Sequence, residues 1–201
     1  MTERAVGTDL RLDDVLAEID RANAADPTLD ANGRPLALVQ GRLASAWLDL
    51  LVDRPSPALA IAVRAHHLRR WELARSDHPP GRAGYLRWRR ANKAHQASAA
   101  SAILTRLGHD EATVQRVAEL LTRRRLGTDP EAQIVEDAAC LVFLQTAFDA
   151  MVARLDHDHL VAIVAKTLRK MSPLAIELAG EIQLSTAGAA VLVDARRTIT
   201  A

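Results

Sequence analysis

Leu12, Val15, Leu16 and Ile19 recur at helical intervals, which predicts an amphipathic helix behind an N-cap at Thr8 or Asp9 that frays near Ala24 to Pro27. Leu36, Val39, Leu43, Trp47 and Leu50 mark a second helix over 36–52, closed by Pro55 and Pro57. A third is expected over 58–71. The loop ARSDHPPGRAG follows, because its prolines and glycines forbid continuation. The next helix, 85–107, stops at Gly108, and a shorter one carries Val114, Val117 and Leu121 before Gly127. Asp129 and Pro130 have the character of an N-cap and first residue for a long helix reaching Leu155, and Asp156 starts another that reaches Met171. Beyond Gly180 the pattern is ambiguous. Ile182, Leu184, Val191, Leu192 and Val193 nevertheless predict that 181–201 docks on the body or on another subunit. The expectation is an all-α, single globular domain over 1–201 built of seven or eight helices.

Composition agrees with the pattern. The chain has 38 Ala and 28 Leu against 3% aromatic residues, which excludes a β-sandwich or barrel. Cys140 is the single cysteine and cannot form an internal disulfide. No run of 18 apolar residues occurs and MTERAVGTDLRLDD has no apolar signal core, so the expectation is a cytoplasmic protein with no membrane partner.

Polar residues interrupt three of the apolar stripes. Ile134, Asp137, Leu141, Leu144 and Phe148 step by three or four, placing Asp137 on a buried face where an isolated carboxylate is costly. Glu136 is its neighbour, turned by about 100°. His95 lies on the stripe Trp88, Ala91, Ala99 and Ala102, and His67 on Ala60, Val63 and Trp71, with His66 turned elsewhere. Were the three to converge, His67, His95 and Asp137 would offer two imidazoles and a carboxylate to Zn²⁺, Fe or Mn²⁺. The same placement also suits a hydrogen-bonded core network, since nothing here has the local specificity of HExxH. The HDH run at 157–159 reads as an exposed helix start, and His78 and His109 fall in loops without an assigned role.

Charge is balanced at +1 overall, yet between Arg64 and Lys93 nine basic residues stand against Glu72 and Asp77. Trp71, Tyr85 and Trp88 are interleaved with them. Forked guanidiniums beside aromatic rings suit a small phosphorylated or otherwise anionic ligand, whereas a compact patch without a basic tail argues against nucleic acid. A solvated or internally paired helical surface is the plain alternative.

The segments HHLRRWELARSDHPPGRAGYLRWRRANKAH (66–95), EAQIVEDAACLVFL (131–144) and KTLRKMSP (166–173) resemble the domain of unknown function 4202 family over about 12–178. That family name implies no reaction. More distantly, HQASAASAILTRLGHDEATVQRVAELL followed by EAQIVEDAACL resembles the back half of HD-domain phosphohydrolases. This resemblance implies an HD-like helical scaffold, with a metal held by His, His-Asp and Asp ligands and Asp137 as the last of them. Matching His67 to the first ligand puts His95 in the His-Asp slot, followed by Gln96. Matching AVRAHHLRRW instead puts Leu68 where Asp belongs. Either way at least one ligand is missing, and Glu136 is the available replacement oxygen.

The combined expectation is a metal-dependent hydrolase of a small phosphorylated or nucleotide-like substrate. His67, His95 and Asp137 hold the ion, Glu136 and Asp137 serve catalysis, and Arg70, Arg75, Arg82, Tyr85, Trp88, Lys166 and Lys170 bind the substrate. The alternative is a non-catalytic HD-like module that binds an anionic ligand or a protein partner.

Overall fold

The computed structural model describes residues 3–200, and among them the regular structure is helical apart from one isolated antiparallel bridge between Leu29 and Pro35. Ten α-helices run along these residues: α1 (Glu3–Asn23), α2 (Leu36–Leu51), α3 (Pro57–Arg64), α4 (Gly81–Arg106), α5 (Glu111–Thr122), α6 (Pro130–Thr146), α7 (Phe148–Val152), α8 (His157–Leu168), α9 (Pro173–Ala179) and α10 (Thr186–Thr200). None is long and apolar enough to cross a membrane.

Several boundaries follow their capping chemistry. The Asp129 carboxylate accepts from the Ala132 and Glu131 amides at the start of α6, and Asp156 accepts from His159 at the start of α8. Pro57 does more than end α2: it sits in the first turn of α3, whose Ser56 hydroxyl accepts from the Leu59 amide at 3.1 Å. α1 departs from expectation because its helical backbone runs through Thr8 and Asp9 from Glu3, and no residue before them is a proline.

The third helix is much shorter than its apolar spacing suggests. α3 ends at Arg64; Ala65 to Arg69 turn, Arg69 adopts a left-handed φ of 52°, and two 3-10 turns follow at Arg70–Glu72 and Arg75–Asp77. His66 and His67 therefore leave the helical stripe. The long helix expected to reach Leu155 also breaks, at Ala147, where the Thr146 hydroxyl donates to the Val142 carbonyl at 2.8 Å.

Two close approaches need glycine. A Cβ on Gly41 would lie 2.9 Å from the Arg64 carbonyl, so its absence lets α2 and α3 touch. A Cβ on Gly84 would overlap the Pro79 carbonyl, which is how HPPG folds back on the first turn of α4.

Two apolar clusters result. The first joins Val15 and Ile19 of α1 with Leu48, Ile61, Leu104, Leu121 and Val142; the second joins Leu141, Leu144 and Phe148 with Leu160, Leu168, Val191 and Leu192. α6 belongs to both and is buried nearly all round. Leu141, fully buried, contributes about 2 kcal/mol by apolar transfer. α10 packs on α8, so the segment after Gly180 lies on the body, although Val193 faces outward.

Candidate anion-binding site

Beside the second apolar cluster, whose Cys140, Phe143 and Met151 help to line it, lies a cleft of about 930 Å³. Its walls come from the start of α2, the 66–75 turns, one face of α4, Arg123 after α5, the middle of α6, and the last turns of α8. Seven basic side chains line it: Arg70, Arg75, Arg89, Lys93, Arg123, Lys166 and Lys170. The chain has only three lysines, and all three are here. Asp26 and Glu136 are the acids on its wall. Asp26 already accepts from the Thr28 and Ala37 amides, both at 2.9 Å.

Glu136 is almost wholly buried and lies 2.8 Å from the Arg123 guanidinium and 4.0 Å from that of Arg89. Burial alone would push its carboxyl pKa up, but Arg123, Lys93, Arg89 and Lys170 outweigh that and hold it below the usual value. It is therefore an ionised counterion. Lys93 is pushed down to about 8, chiefly by desolvation and then by Arg123, with Glu136 opposing. Burial also lowers Arg70, whose guanidinium lies 4.6 Å from the centre of the Trp88 ring. The cleft thus concentrates more positive charge than its own acids neutralise.

Two imidazoles complete the wall. His66 and His67 stack with ring centroids 4.1 Å apart. The Thr146 hydroxyl gives its proton to Val142, so the Gln40 amide presents NH₂ to Thr146 at 3.0 Å and its carbonyl to His67 Nδ1 at 2.5 Å. His67 accordingly carries its proton on Nδ1. Burial, His66, Arg70 and Arg123 keep it neutral, with a pKa well below the ordinary imidazole value.

The metal set expected from the sequence is not assembled. His95 Nε2 pairs with Glu72 at 3.0 Å, and neither residue lines the cleft. Asp137 is buried as its spacing predicts, but its Oδ1 accepts from Gln133 and from the Ser172 amide, both at 2.9 Å, so it anchors the start of α9. Burial raises its pKa while those hydrogen bonds oppose the rise. His67 alone of the three lines the cleft. Among the described residues no group of three His, Cys, Asp or Glu side chains is close enough to hold a metal ion. His67, His95 and Asp137 do not fit the HD-type ligand set.

Of the expected substrate-binding residues, Arg70, Arg75, Tyr85, Trp88, Lys166 and Lys170 line the cleft. Arg75 acts there as a brace, donating to the His78 carbonyl at 2.8 Å and the Gly81 carbonyl at 3.5 Å. Arg82 is exposed and outside it. Glu136 is present as a counterion. Arg89, Lys93 and Asn92 were not singled out by the apolar stripes, because α4 turns a polar face inward: Asn92 and Gln96 are buried while Ala102 is exposed; Gln40 of α2, His66 after α3 and Arg123 after α5 reach the cleft from elsewhere in the chain. The scarcity of lysine in an arginine-rich chain was a usable signal for Lys93. Cys140 also lines the cleft, but burial pushes its thiol up to about 12, which leaves it a poor nucleophile.

A second cleft, about 790 Å³ beside the start of α2, is lined mainly by apolar residues. Its Arg34 is held by Asp30 and its Arg42 by Asp20, so its positive charge is already neutralised.

An all-helical body with a basic cleft in one flank is the class of protein that these features define. Residues 13–192 match the family described as "Domain of unknown function (DUF4202)", and the chain belongs to that family. No curated protein and no solved structure matches it.

Proposed function

We propose that this protein binds a small phosphorylated, polyanionic ligand in the basic cleft lined by α2, α4, α6 and α8. One observation carries the reading: seven basic side chains converge on a concave site whose acids, Asp26 and Glu136, are already engaged. Holding desolvated cations together is costly, and an anion that supplies their missing counter-charge removes that cost. Arg70 and Arg89 offer forked donors, Lys93, Lys166 and Lys170 point charges, and Tyr85 with Trp88 an aromatic border. A concave site lined by segments from Asp26 to Lys170 suits a small molecule better than an extended nucleic-acid backbone. Of the two functions anticipated from the sequence, the binding module is the one this geometry favours, because His95 and Asp137 stand apart from the cleft.

The test is a thermal-shift screen of inorganic phosphate, pyrophosphate, nucleotides and sugar phosphates at low ionic strength. At least one phosphorylated compound is expected to raise the melting temperature in proportion to occupancy, with the effect weakened by salt, lost in Arg70→Ala and retained in Arg82→Ala. Stabilisation by none of them, or equal stabilisation of both variants, would overturn the reading.

A further inference from the structure

The cations explain an anion, but the same cleft holds two groups that can only accept a hydrogen bond. His66 is 3% exposed, and its Nδ1 lies 3.0 Å from the Val63 carbonyl. A carbonyl only accepts, so Nδ1 carries the proton. Burial, with Arg123 and Arg70 nearby, lowers the pKa of this ring to about 3 and keeps it neutral. Its Nε2 is therefore a bare lone pair, and no side chain or backbone group among the described residues donates to it. Asn92 is 2% exposed and donates its Nδ2 to the Trp88 carbonyl at 3.1 Å, which fixes the orientation of the amide. Its Oδ1 is buried and also without a donor. Both residues line the cleft.

Fully ionised phosphate cannot satisfy either atom, since its oxygens would meet lone pair with lone pair. Buried acceptors of this kind are ordinarily paired, and two on one wall beside a cluster of cations call for a ligand with both functions. We propose that the ligand is a hydroxyl-bearing phosphate ester, of the sugar-phosphate or nucleotide class: its phosphate meets Arg70 and Lys93, and its hydroxyl or N–H groups donate to His66 Nε2 and Asn92 Oδ1. The inference rests on the anion-binding reading and narrows it. His67 Nε2, bare because Nδ1 donates to Gln40, offers a further acceptor beside His66.

Calorimetric titration of the full-length protein with two sets of probes tests this. Inorganic phosphate and butyl phosphate supply the anion without carbon-bound hydroxyls; ribose 5-phosphate, glucose 6-phosphate and AMP supply both. At least one hydroxylated ester is expected to bind about tenfold or more tightly than butyl phosphate, because a site built to receive a donor rejects the analogue that lacks it. In Asn92→Leu the preference should fall toward one. Should that variant not fold, the wild-type preference decides alone. Binding of butyl phosphate as tight as that of every hydroxylated ester, or an undiminished preference in folded Asn92→Leu, overturns this inference and leaves anion binding standing. Binding of none of the five overturns this inference, and failure of pyrophosphate as well overturns both.

Discussion

Replacing Lys93 with methionine separates the two consequences of crowding cations into the cleft. The ammonium is pushed from 10.5 to about 8 by desolvation and by Arg123, which corresponds to about 3 kcal/mol of penalty on its charged form at 1.36 kcal/mol per pH unit. Lys93 is only part-buried, and solvent screening reduces the expected stability effect to about 1 kcal/mol. Methionine keeps the apolar stem in place, so Lys93→Met should be about 1 kcal/mol more stable than wild type at pH 7. Its affinity for a phosphorylated ligand should fall about tenfold through loss of one charge-assisted contact. The sign with pH is fixed. Since the folded pKa lies below the unfolded one, the unfolded chain binds the extra proton between pH 8 and 10.5, and wild-type stability recovers over that window. The advantage of the variant is therefore full below pH 8 and fades by pH 10.5. Urea denaturation at pH 7 and pH 10.5, with and without saturating pyrophosphate, measures each part. A variant less stable than wild type at pH 7 with unaltered anion affinity would refute the reasoning and make Lys93 a structural residue.

Three further outcomes follow from the same charges. Glu136→Gln leaves Arg123 buried without its counterion and should cost about 3–5 kcal/mol by urea denaturation at pH 7; because the Glu136 pKa is depressed, this stabilisation is present above the ordinary value of 4.5 and is lost as pH falls below it. The folded His66 ring, with a pKa of about 3, refuses a proton that the unfolded chain accepts from about 6.5 downward, so the protein should lose up to about 1.4 kcal/mol per pH unit for this residue as pH falls below 6.5, and NMR titration should show a ring still neutral at pH 5. Asp137→Asn keeps one oxygen for Gln133 and Ser172, so stability should change by about 1 kcal/mol or less and pyrophosphate binding not at all; loss of binding would return Asp137 to the site.

Much of the architecture was legible in the sequence because capping and periodicity act locally. Asp129 with Pro130, and Asp156 before its apolar run, specify helix starts that the structure places at those residues. The burial of Asp137 was equally readable from its stripe. What it meets there was not, since the Ser172 amide comes from 35 residues away. The same limit governs the histidines: the spacing of Ala60, Val63, His67 and Trp71 persists on paper, but the chain leaves the helix after Arg64 and passes through a left-handed Arg69, a choice that apolar periodicity does not record. α4 misleads in the opposite way. Its alanine-rich face imitates a core stripe, while the face that turns inward carries Asn92, Lys93 and Gln96 and is held there by the cleft. The arginine-rich stretch 64–93 contributes Arg70, Arg75, Arg89 and Lys93 to the cleft, and the three lysines, scattered over 78 positions of sequence, converge on it only in the fold.

The three tryptophans give the most direct measurement of the central claim. The Trp88 indole N–H donates to the Leu73 carbonyl at 2.9 Å on the wall of the cleft, Trp71 lies on that wall as well, and the Trp47 indole N–H donates to Gln145 at 2.9 Å away from it. In an amide and indole NMR titration with pyrophosphate at low ionic strength, the Trp88 indole signal should move saturably with its neighbours in 66–75 and 85–96 while the Trp47 indole stays fixed, and added salt should reverse the shift. Saturable movement of Trp47 with Trp88 unmoved, or no saturable movement of any cleft residue, would contradict the assignment of this cleft as an anion-binding site.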